Sequence, residues 1–374
     1  MALAGLSCFQ FSILLLLSSL ISPTSCLSHH QNNKHAALFI FGDSLFDPGN
    51  NNYINTNTTF QANFWPYGES FFKYPTGRFC DGRLIPDFIA EYAKLPLIQP
   101  YLQQPAGYQQ FVYGANFASS GAGALAETFP GMVIDLKTQL SYFKIVVKQL
   151  RQNLGDGEAK QLLSNAVYLF SIGSNDYGNT LSTNSSFFHS NSQDEYVKIV
   201  IGNSTAVIQD IYMNGGRKFG FVSLGPLGSL PGIRALEPEN NSEVMTEITH
   251  LLKLHNKALS KTLRNLETQL KGFMYSNFNF YTAASERINN PSKYGFKEVK
   301  TACCGTGPYR GIPSCGGKRG LTEFELCKNA SEYMFFDSTH PTEMANQQFA
   351  ELMWSGIPNV TGPYNLKSLF ERTH

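Results

Sequence analysis

Five short segments rich in β-branched and aromatic residues recur along the chain, and most are separated by longer stretches with helical periodicity. The segments are ALFIFGD (37–43), FVYGANFA (111–118), AVYLFSIGS (166–174), KFGFVSLGP (218–226) and FMYSNFNFY (273–281). Apolar residues at threes and fours predict helices over 135–154, 193–214 and 242–270. Strands that alternate with helices favour βαβ units and a parallel sheet that is covered by helices on both faces.

One domain accounts for this pattern better than two. The 374 residues would allow either number, but no internal repeat, low-complexity run or Pro/Ser-rich linker divides the chain. We therefore predict one α/β/α domain from about residue 35 to the C-terminus, with a long, loop-rich region at 44–110. Ligands of such folds collect at the carboxyl ends of the strands, where loops and helix N-termini converge. A candidate site residue should therefore follow a predicted strand.

The charge of the chain is almost balanced. Twenty-nine basic and 28 acidic side chains give a formal net charge of +1, and no long run of one sign occurs. This balance argues against a nucleic-acid partner and against an anionic membrane surface as a partner.

The N-terminus has the pattern of a secretory signal peptide. The apolar run FQFSILLLLSSLIS (9–22) precedes small residues, which predicts a signal peptide over 1–26 and a mature domain over 27–374. The segment before the run has no Lys or Arg, which departs from the usual pattern. The alternative, an N-terminal membrane anchor, is disfavoured because the run is short for a membrane span.

Export would explain six Asn-x-Ser/Thr sequons and a cluster of cysteines. The sequons are at Asn57, Asn184, Asn203, Asn240, Asn329 and Asn359. The clustered cysteines are Cys303, Cys304, Cys315 and Cys327. They are interpreted as two disulfides, because the adjacent pair lacks the C-x₂-C spacing of the alternative, a zinc site. Cys8 and Cys26 leave with the signal peptide, and Cys80 is either free or paired with one of the four.

The stretch FGDSLFDPGNNN (41–52) directly follows the first predicted strand and carries one serine, Ser44. Gly42 permits a tight turn that would lift the serine hydroxyl clear of the sheet. Ser44 alone could be a nucleophile or a helix N-cap, and a helix starting just after it would suit both roles. Asp47 and Asn50 to Asn52 are expected to shape the loop and are not assigned to catalysis.

Two further strand ends carry groups that could stabilise an oxyanion. After the second strand, GANFASSGAGAL offers unhindered glycine N–H groups, of which Gly121 is the first choice and Gly114 the fallback. After the third strand, SIGSNDY places Asn175 where its side-chain NH₂ could donate to the same oxyanion. The alternatives are turns that need positive φ at the glycines and an Asx-turn at Asn175.

Near the C-terminus, FFDSTHPTEMANQQFAELMW puts Asp337 and His340 three residues apart, before a helix predicted to start at Pro341. A carboxylate beside the imidazole can fix its tautomer and stabilise the imidazolium that forms when it takes a serine proton. The alternative is an aspartate that caps the helix and a solvated histidine. The other histidines lie near the termini, in a polar loop or in a helical pattern: His29, His30, His35, His374, His189, His250 and His255.

The motifs FGDSLFDPGNNN, GANFAS, SIGSNDY and DSTHP together resemble the four sequence blocks of the plant GDSL esterase/lipase family of the SGNH hydrolase superfamily. The resemblance extends to YPTGRFCDGRLIPDFIAEYAKLP, to NPSKYGF followed by ACCGTGPY, and to HPTEMANQQFAELMWSG. It covers essentially the whole mature chain. The absence of a G-x-S-x-G elbow argues against an α/β-hydrolase lipase.

The resemblance implies a flavodoxin-like three-layer α/β/α sandwich with a five-stranded parallel sheet, secretion, and a serine hydrolase that acts on carboxylic esters. Ser44 matches the nucleophile, and Asp337 and His340 match the other members of the triad. The oxyanion would be held by the Asn175 side chain and by the backbone N–H groups of Ser44 and Gly121. Within the glycine block this chain has a serine where Gly or Ala is more usual, at Ser120.

We therefore expect a secreted, glycosylated, disulfide-bonded plant esterase/lipase that is monomeric and takes a small ester. No cofactor, metal, nucleic-acid partner or stable membrane insertion is expected. Two alternatives are an acyltransferase that passes the acyl group to an alcohol, and a non-catalytic secreted defence-related glycoprotein. The second is disfavoured because every matched site residue is present. The 29 Phe and 18 Tyr indicate core packing and do not identify the substrate.

Overall fold

The computed structural model describes residues 36–103, 111–183, 192–236 and 243–372. A β-sheet forms the centre of the fold. Its five parallel strands are β1 (Leu38–Gly42), β2 (Gly114–Asn116), β3 (Val167–Ser171), β4 (Lys218–Val222) and β5 (Met274–Phe278). They lie in the order β2-β1-β3-β4-β5, which is the flavodoxin-like order. The predicted fold class is confirmed.

A short antiparallel strand was not predicted and extends the sheet beside β5. It spans Thr361–Pro363, and its Gly362 pairs with Asn277. The sequence TGP contains both Gly and Pro, which weaken strands and are tolerated at a sheet edge. The second predicted strand is also shorter than expected, because only Gly114–Asn116 of 111–118 pairs with β1.

Helices cover both faces of the sheet. In chain order they are α1 (Ile85–Tyr92), α2 (Leu136–Leu154), α3 (Asp156–Asn165), α4 (Ser174–Thr183), α5 (Gln193–Met213), α6 (Pro231–Leu236), α7 (Glu243–Gln269), α8 (Phe280–Asn289), α9 (Glu343–Ser355) and α10 (Leu366–Glu371). The three helices predicted by periodicity are α2, α5 and α7, and their ends agree with prediction within one residue. Side-chain caps explain two of the starts: Asp135 accepts from Thr138 N, and Ser192 forms a capping box with Glu195.

The strands divide their side chains between two cores, as the period of two requires. Phe39 and Phe41 of β1 pack with buried residues of α2 and α7 on one face. Leu38 and Ile40 of the same strand pack with α1 and α9 on the other face. All four side chains are buried. Because both faces are apolar and covered, the sheet forms the middle of three layers.

The cysteine-rich segment forms a small hairpin that two disulfides hold together. Strand β6 (Cys304–Gly305) pairs antiparallel with β7 (Glu325–Leu326), so the short strand Thr361–Pro363 is β8. The disulfides join Cys303 to Cys327 and Cys304 to Cys315. The predicted pair of disulfides is confirmed, which removes the zinc alternative for these four residues. Cys80 is free and buried.

None of the helices in the described ranges has the length and apolar character needed to cross a membrane. Residues 35–374 form one compact unit. The predicted signal peptide over 1–26 lies outside the described residues and stays a prediction, as does the extent of the mature domain.

Candidate active site

Ser44 lies directly beyond the C-terminal end of β1, in a turn that the backbone of Gly42 makes possible. Gly42 has φ +154°, and a Cβ at this position would stand 2.4 Å from the Ser171 carbonyl oxygen. The buried Gln139 of α2 holds the same residue from both sides: Gly42 N donates to Gln139 Oε1, and Gln139 Nε2 donates to the Gly42 carbonyl, both at 2.9 Å. The position of Ser44 relative to the sheet is therefore fixed.

No helix starts just after Ser44, so the arrangement that would have suited both roles of the serine is absent at this turn. Instead the Asp43 carbonyl accepts hydrogen bonds from Phe46 N at 3.1 Å and from Asp47 N at 3.0 Å, which closes a single turn. The nearest helical element begins later and is a 3₁₀ turn at Asn50–Tyr53. The Asp47 carboxylate caps the chain further on, where it accepts hydrogen bonds from Gly49 N and Asn50 N.

The rest of the motif ties this turn to the loop that follows β2. Asp47 Oδ2 accepts from Ser120 N at 2.9 Å, and Asn51 Nδ2 donates to the Ser120 carbonyl at 2.9 Å. Asn50 Nδ2 donates to the carbonyls of Asn116 and Ala118. These side chains shape the loop, as expected, and none of them reaches Ser44.

Asp337, His340 and Ser44 form a continuous series of hydrogen bonds. His340 Nδ1 lies 2.8 Å from Asp337 Oδ1, and His340 Nε2 lies 2.8 Å from Ser44 Oγ. Because Nδ1 faces a carboxylate, we assign the proton to Nδ1, which leaves Nε2 free to accept from the serine hydroxyl. The structure thus brings together three residues that are up to 296 positions apart in sequence.

The Asp337 carboxylate stays ionised despite its burial. Burial alone would raise its pKa, but the charge and hydrogen bond of His340 outweigh burial, with help from Arg319 and Thr339 N. The pKa of Asp337 is consequently held well below its ordinary value. A carboxylate that remains anionic can stabilise the imidazolium of His340.

The helix after His340 starts later than predicted. Thr342 is its N-cap, with Thr342 Oγ1 accepting from Ala345 N, and Glu343 is its first residue. Pro341 therefore stands before the cap and is not the first helical residue. Its neighbour His340 is held instead by backbone bonds: His340 N donates to Asp337 Oδ1, and Phe336 N donates to the His340 carbonyl.

Three hydrogen-bond donors border the space beside Ser44. Within the described residues, the backbone N–H groups of Ser44 and Gly121 donate to no other protein group. Asn175 Nδ2 donates to the Ala122 carbonyl at 2.9 Å, which fixes the orientation of the amide and leaves its second N–H. Since partly or fully buried N–H groups are seldom left unpaired, this set has the character of an oxyanion site.

The two candidate glycines occupy different places. Gly121 lines the same cavity as Ser44 and has φ +82°, and a Cβ there would meet the Phe60 ring at 2.5 Å. Gly114 starts β2 opposite Leu38, at the other end of the parallel strands from Ser44. The structure therefore places Gly121, and not Gly114, beside the serine.

A buried carboxyl group also borders the cavity. Burial raises the pKa of Asp43 to about 7, the N–H of Leu45 offsets part of this rise, and the charges of Asp176 and Asp47 add to it. Asp43 is therefore partly protonated near neutral pH, which reduces the negative charge that an oxyanion beside Ser44 would face.

The remaining predicted residues lie away from this site. In the part of the chain that the structure describes, His250 is exposed on α7, while His255 is buried 2.8 Å from the Tyr177 hydroxyl, and burial lowers its pKa to about 3. Four sequon asparagines are exposed: Asn57, Asn203, Asn329 and Asn359. Outside the described residues lie Asn184, Asn240, His29, His30, His35, His189 and His374. Over the described ranges, no group of three or more His, Cys, Asp or Glu side chains could hold a metal ion.

Sequence reasoning missed Gln139, although a signal for it was present. The apolar stripe of α2 contains Leu136, Leu140 and Phe143, and Gln139 stands in the middle of that stripe. A polar side chain at a core position needs partners there, and here its partners are the backbone groups of Gly42.

A cavity of about 360 Å³ opens beside Ser44 and His340. This volume is within the range of small-molecule sites, which is about 300–1,000 Å³. Its walls are mainly apolar, and one wall is formed by Leu230, which precedes α6, and by the α6, α8 and α9 side chains Ile233, Phe280, Ala284, Ile288 and Phe349.

The hydrogen-bond series of a serine, a histidine and an aspartate lies at the carboxyl edge of a parallel sheet. This is the edge at which open α/β proteins bind their ligands. A sequence profile described as GDSL-like Lipase/Acylhydrolase matches residues 38–353. The chain is 54% identical over 356 residues to GDSL esterase/lipase 2 of Arabidopsis thaliana, covering 94% of this chain and 95% of that protein. It is 56% identical over 349 residues to GDSL lipase of Tanacetum cinerariifolium, covering 93% and 91%. The chain belongs to the GDSL lipase/acylhydrolase family.

Among solved structures, a putative GDSL-like lipase from Parabacteroides merdae is similar to this chain at 12% identity, with a TM-score of 0.38. The superposition covers 85% of this chain and 93% of that one.

Proposed function

We propose that this protein is a serine esterase that cleaves carboxylic esters through an acyl-enzyme intermediate on Ser44. The observation that carries the proposal is the hydrogen-bond series from Asp337 through His340 to Ser44, with 2.8 Å between Ser44 Oγ and His340 Nε2. Membership of the GDSL lipase/acylhydrolase family supports carboxylic ester hydrolysis as the reaction class.

In the first half of the proposed reaction, Ser44 Oγ attacks the ester carbonyl carbon while its proton moves to His340 Nε2. Asp337 stabilises the resulting imidazolium. The N–H groups of Ser44 and Gly121 and the NH₂ of Asn175 receive the oxyanion of the tetrahedral intermediate. The bond to the alcohol oxygen then breaks, and the alcohol leaves with the proton from His340.

In the second half, a nucleophile releases the acyl group from Ser44. Water activated by His340 gives the free acid, whereas an alcohol gives a new ester, as in the acyltransferase alternative. The hydrogen-bond series itself serves both outcomes. Incubation with an activated acyl donor and candidate alcohols, followed by measurement of acid against ester product, distinguishes them.

The test of the proposed nucleophile is covalent trapping. A fluorophosphonate probe is expected to add one adduct to the peptide that contains Ser44, because His340 activates this hydroxyl in the folded protein. Intact-mass measurement followed by peptide mapping locates the adduct. The non-catalytic alternative predicts a folded protein that never reacts, and an adduct on another serine would overturn the assignment.

The cavity supports an ester with a hydrocarbon group. A water molecule takes about 30 Å³ in the liquid, and a methylene group is of comparable size. The cavity beside Ser44 has room for several such groups. Its apolar wall along α8 and α9 gives these groups a place away from water.

Enlarging Ala284 is expected to shorten the acyl chain that the enzyme accepts. Ala284 lines the cavity from α8, between Phe280 and Ile288, so a phenylalanine there would fill apolar space. Each methylene kept out costs about 0.8 kcal/mol, which is roughly fourfold in kcat/KM. The measurement is kcat/KM for p-nitrophenyl esters from acetate to laurate.

The matched control for Ala284→Phe is Ala206→Phe, which places the same side chain on the exposed surface of α5. The control should keep the chain-length profile of the parent protein. An Ala284→Phe profile that matches the parent's would show that the acyl chain does not lie against α8.

Secretion is part of the proposal and rests on two features. Two disulfides are expected in an oxidising compartment, and the exposed sequons are available for glycosylation there. The predicted signal peptide would direct the chain to that compartment.

A further inference from the structure

The second oxygen of Asp337 has a partner outside the series of Asp337, His340 and Ser44. Tyr67 is 1% exposed, and its hydroxyl donates to Asp337 Oδ2 at 2.7 Å. The other oxygen, Oδ1, accepts from the backbone N–H groups of Thr339 and His340. The carboxylate is therefore held from two sides, and Tyr67 is the side-chain donor on the side away from the backbone.

Arg319 stands behind Tyr67 and determines the direction of this hydrogen bond. Arg319 Nη1 lies 2.7 Å from the Tyr67 hydroxyl oxygen. A guanidinium group only donates, so the oxygen of Tyr67 accepts from Arg319 and its single hydrogen goes to Asp337. Burial and the charge of Asp337 raise the pKa of Tyr67 well above its ordinary value, and Tyr67 therefore remains a donor.

Arg319 is itself fixed. Its Nε donates to the Thr58 carbonyl at 3.0 Å, and its Nη2 donates to the Gln61 carbonyl at 2.7 Å. Within the described residues it has no carboxylate at ion-pair distance, so its charge is not neutralised by direct contact. The charge of Arg319 contributes to lowering the pKa of Asp337.

We propose that Tyr67 and Arg319 are positioning residues that hold Asp337 in the orientation and charge state that His340 needs. The inference rests on the proposed function, because it adds two members to the series that would activate Ser44. Neither residue touches the reacting atoms.

The position of Arg319 gives the cysteine-rich segment a role in the reaction. Arg319 follows the Cys304–Cys315 disulfide by four residues, and Tyr67 packs in one cluster with Cys304, Cys315 and Phe336. The segment that the two disulfides cross-link is therefore also the segment that places Arg319 beside Tyr67.

The proposal predicts the direction in which the pH profile of kcat/KM moves when the Tyr67 hydroxyl or the Arg319 charge is removed. Without the Tyr67 hydroxyl, Asp337 has one donor fewer, so its negative charge stabilises the His340 imidazolium more strongly. Without the Arg319 charge, the imidazolium loses a nearby repulsion, which acts in the same direction. In both cases the acidic limb of the kcat/KM profile is expected to move to higher pH.

The expected results are specific for Tyr67→Phe and Arg319→Gln. Each should lower kcat by about tenfold or more with KM little changed, because the lost hydrogen bond leaves Asp337 less firmly oriented toward His340, and this loss of alignment outweighs the stronger attraction for the imidazolium. Each should also move the acidic limb upward in pH. Arg319→Lys keeps the charge and should return the limb toward that of the parent protein, although it lacks the planar fork of arginine.

The matched controls lose comparable groups elsewhere. Tyr168→Phe removes a buried hydroxyl that donates to the Leu163 carbonyl. Arg310→Gln removes an arginine of the same cysteine-rich segment, one that pairs with Glu325. Both controls should keep the acidic limb of the parent protein. Rates are expressed per site that reacts with the fluorophosphonate probe, so a smaller folded fraction does not imitate a lower kcat.

Ser44→Ala, with its rate expressed per mole of protein because it has no site for the probe, separates this proposal from the proposed function. If Ser44→Ala retains full turnover, the proposed function and the positioning roles both fail. If Ser44→Ala is inactive and the acidic limb stays in place in Arg319→Gln, the positioning proposal alone is overturned. Arg319 is half-buried, so its variant provides this answer even where Tyr67→Phe fails to fold.

Discussion

Ser44→Ala is expected to lower kcat toward p-nitrophenyl butyrate by on the order of 10⁶-fold. Without the hydroxyl, His340 has no proton to accept and Asp337 has no imidazolium to stabilise, so the three residues lose their effect together. The remaining rate would come from substrate binding and the oxyanion donors. The measurement is the initial rate at saturating ester, with fluorophosphonate labelling of the same preparations.

The fold should survive this change, because the only side-chain hydrogen bond that Ser44 makes within the described residues is to His340 Nε2. Circular dichroism and the thermal midpoint are expected to match the parent protein. Ser141→Ala is the matched control, since it removes an exposed hydroxyl on α2 that donates to the Lys137 carbonyl. Turnover of Ser44→Ala at the parent rate would remove Ser44 as the nucleophile.

Asn175→Ala is expected to lower kcat by about 10²- to 10³-fold with a smaller change in KM. The amide would donate to an oxygen that carries full charge only in the tetrahedral intermediate, so its loss affects the transition state more than the bound ester. The N–H groups of Ser44 and Gly121 would remain, which is why the loss is smaller than for Ser44→Ala. The measurement is kcat and KM for one ester at one pH.

The control for Asn175→Ala is Asn153→Ala. Asn153 is an exposed residue of α2 whose Nδ2 donates to the Gln149 carbonyl, just as Asn175 Nδ2 donates to the Ala122 carbonyl. The control should behave as the parent protein. If Asn175→Ala keeps kcat within threefold or so of the parent, the oxyanion site consists of the backbone donors alone.

The fold could be predicted from the sequence for those segments that follow one hydrophobic pattern along their whole length. Strands β1 and β3 are buried on both faces and appear as almost continuous apolar runs, and α2, α5 and α7 have long apolar stripes. Local chemistry was harder to predict. Thr342 took the cap position ahead of Glu343, and β8 has only three residues. The Thr342 cap is a local hydrogen bond from Ala345 N that sequence reasoning overlooked in favour of Pro341, whereas β8 depends on pairing with β5, which no local pattern shows.

In the candidate site, too, some residues could be predicted from the sequence and others could not. Ser44, Asn175 and Gly121 follow predicted strands, which placed them at one edge of the sheet, and the resemblance to the GDSL family added Asp337 and His340 to the same site. Tyr67 and Arg319 lie in irregular loops, 270 and 252 residues from the groups that they contact. No periodicity links such positions, and only the folded chain brings them together.

The bonds from Asp47 and Asn51 to both backbone groups of Ser120 affect how the site fluctuates. They join the turn that carries Ser44 to the loop that carries Gly121, so we expect the two to move together. The separation between nucleophile and oxyanion donor then changes less than the position of either relative to the rest of the molecule. Reorganisation before each turnover is correspondingly small, which is the condition under which fixed dipoles act most strongly on a developing charge.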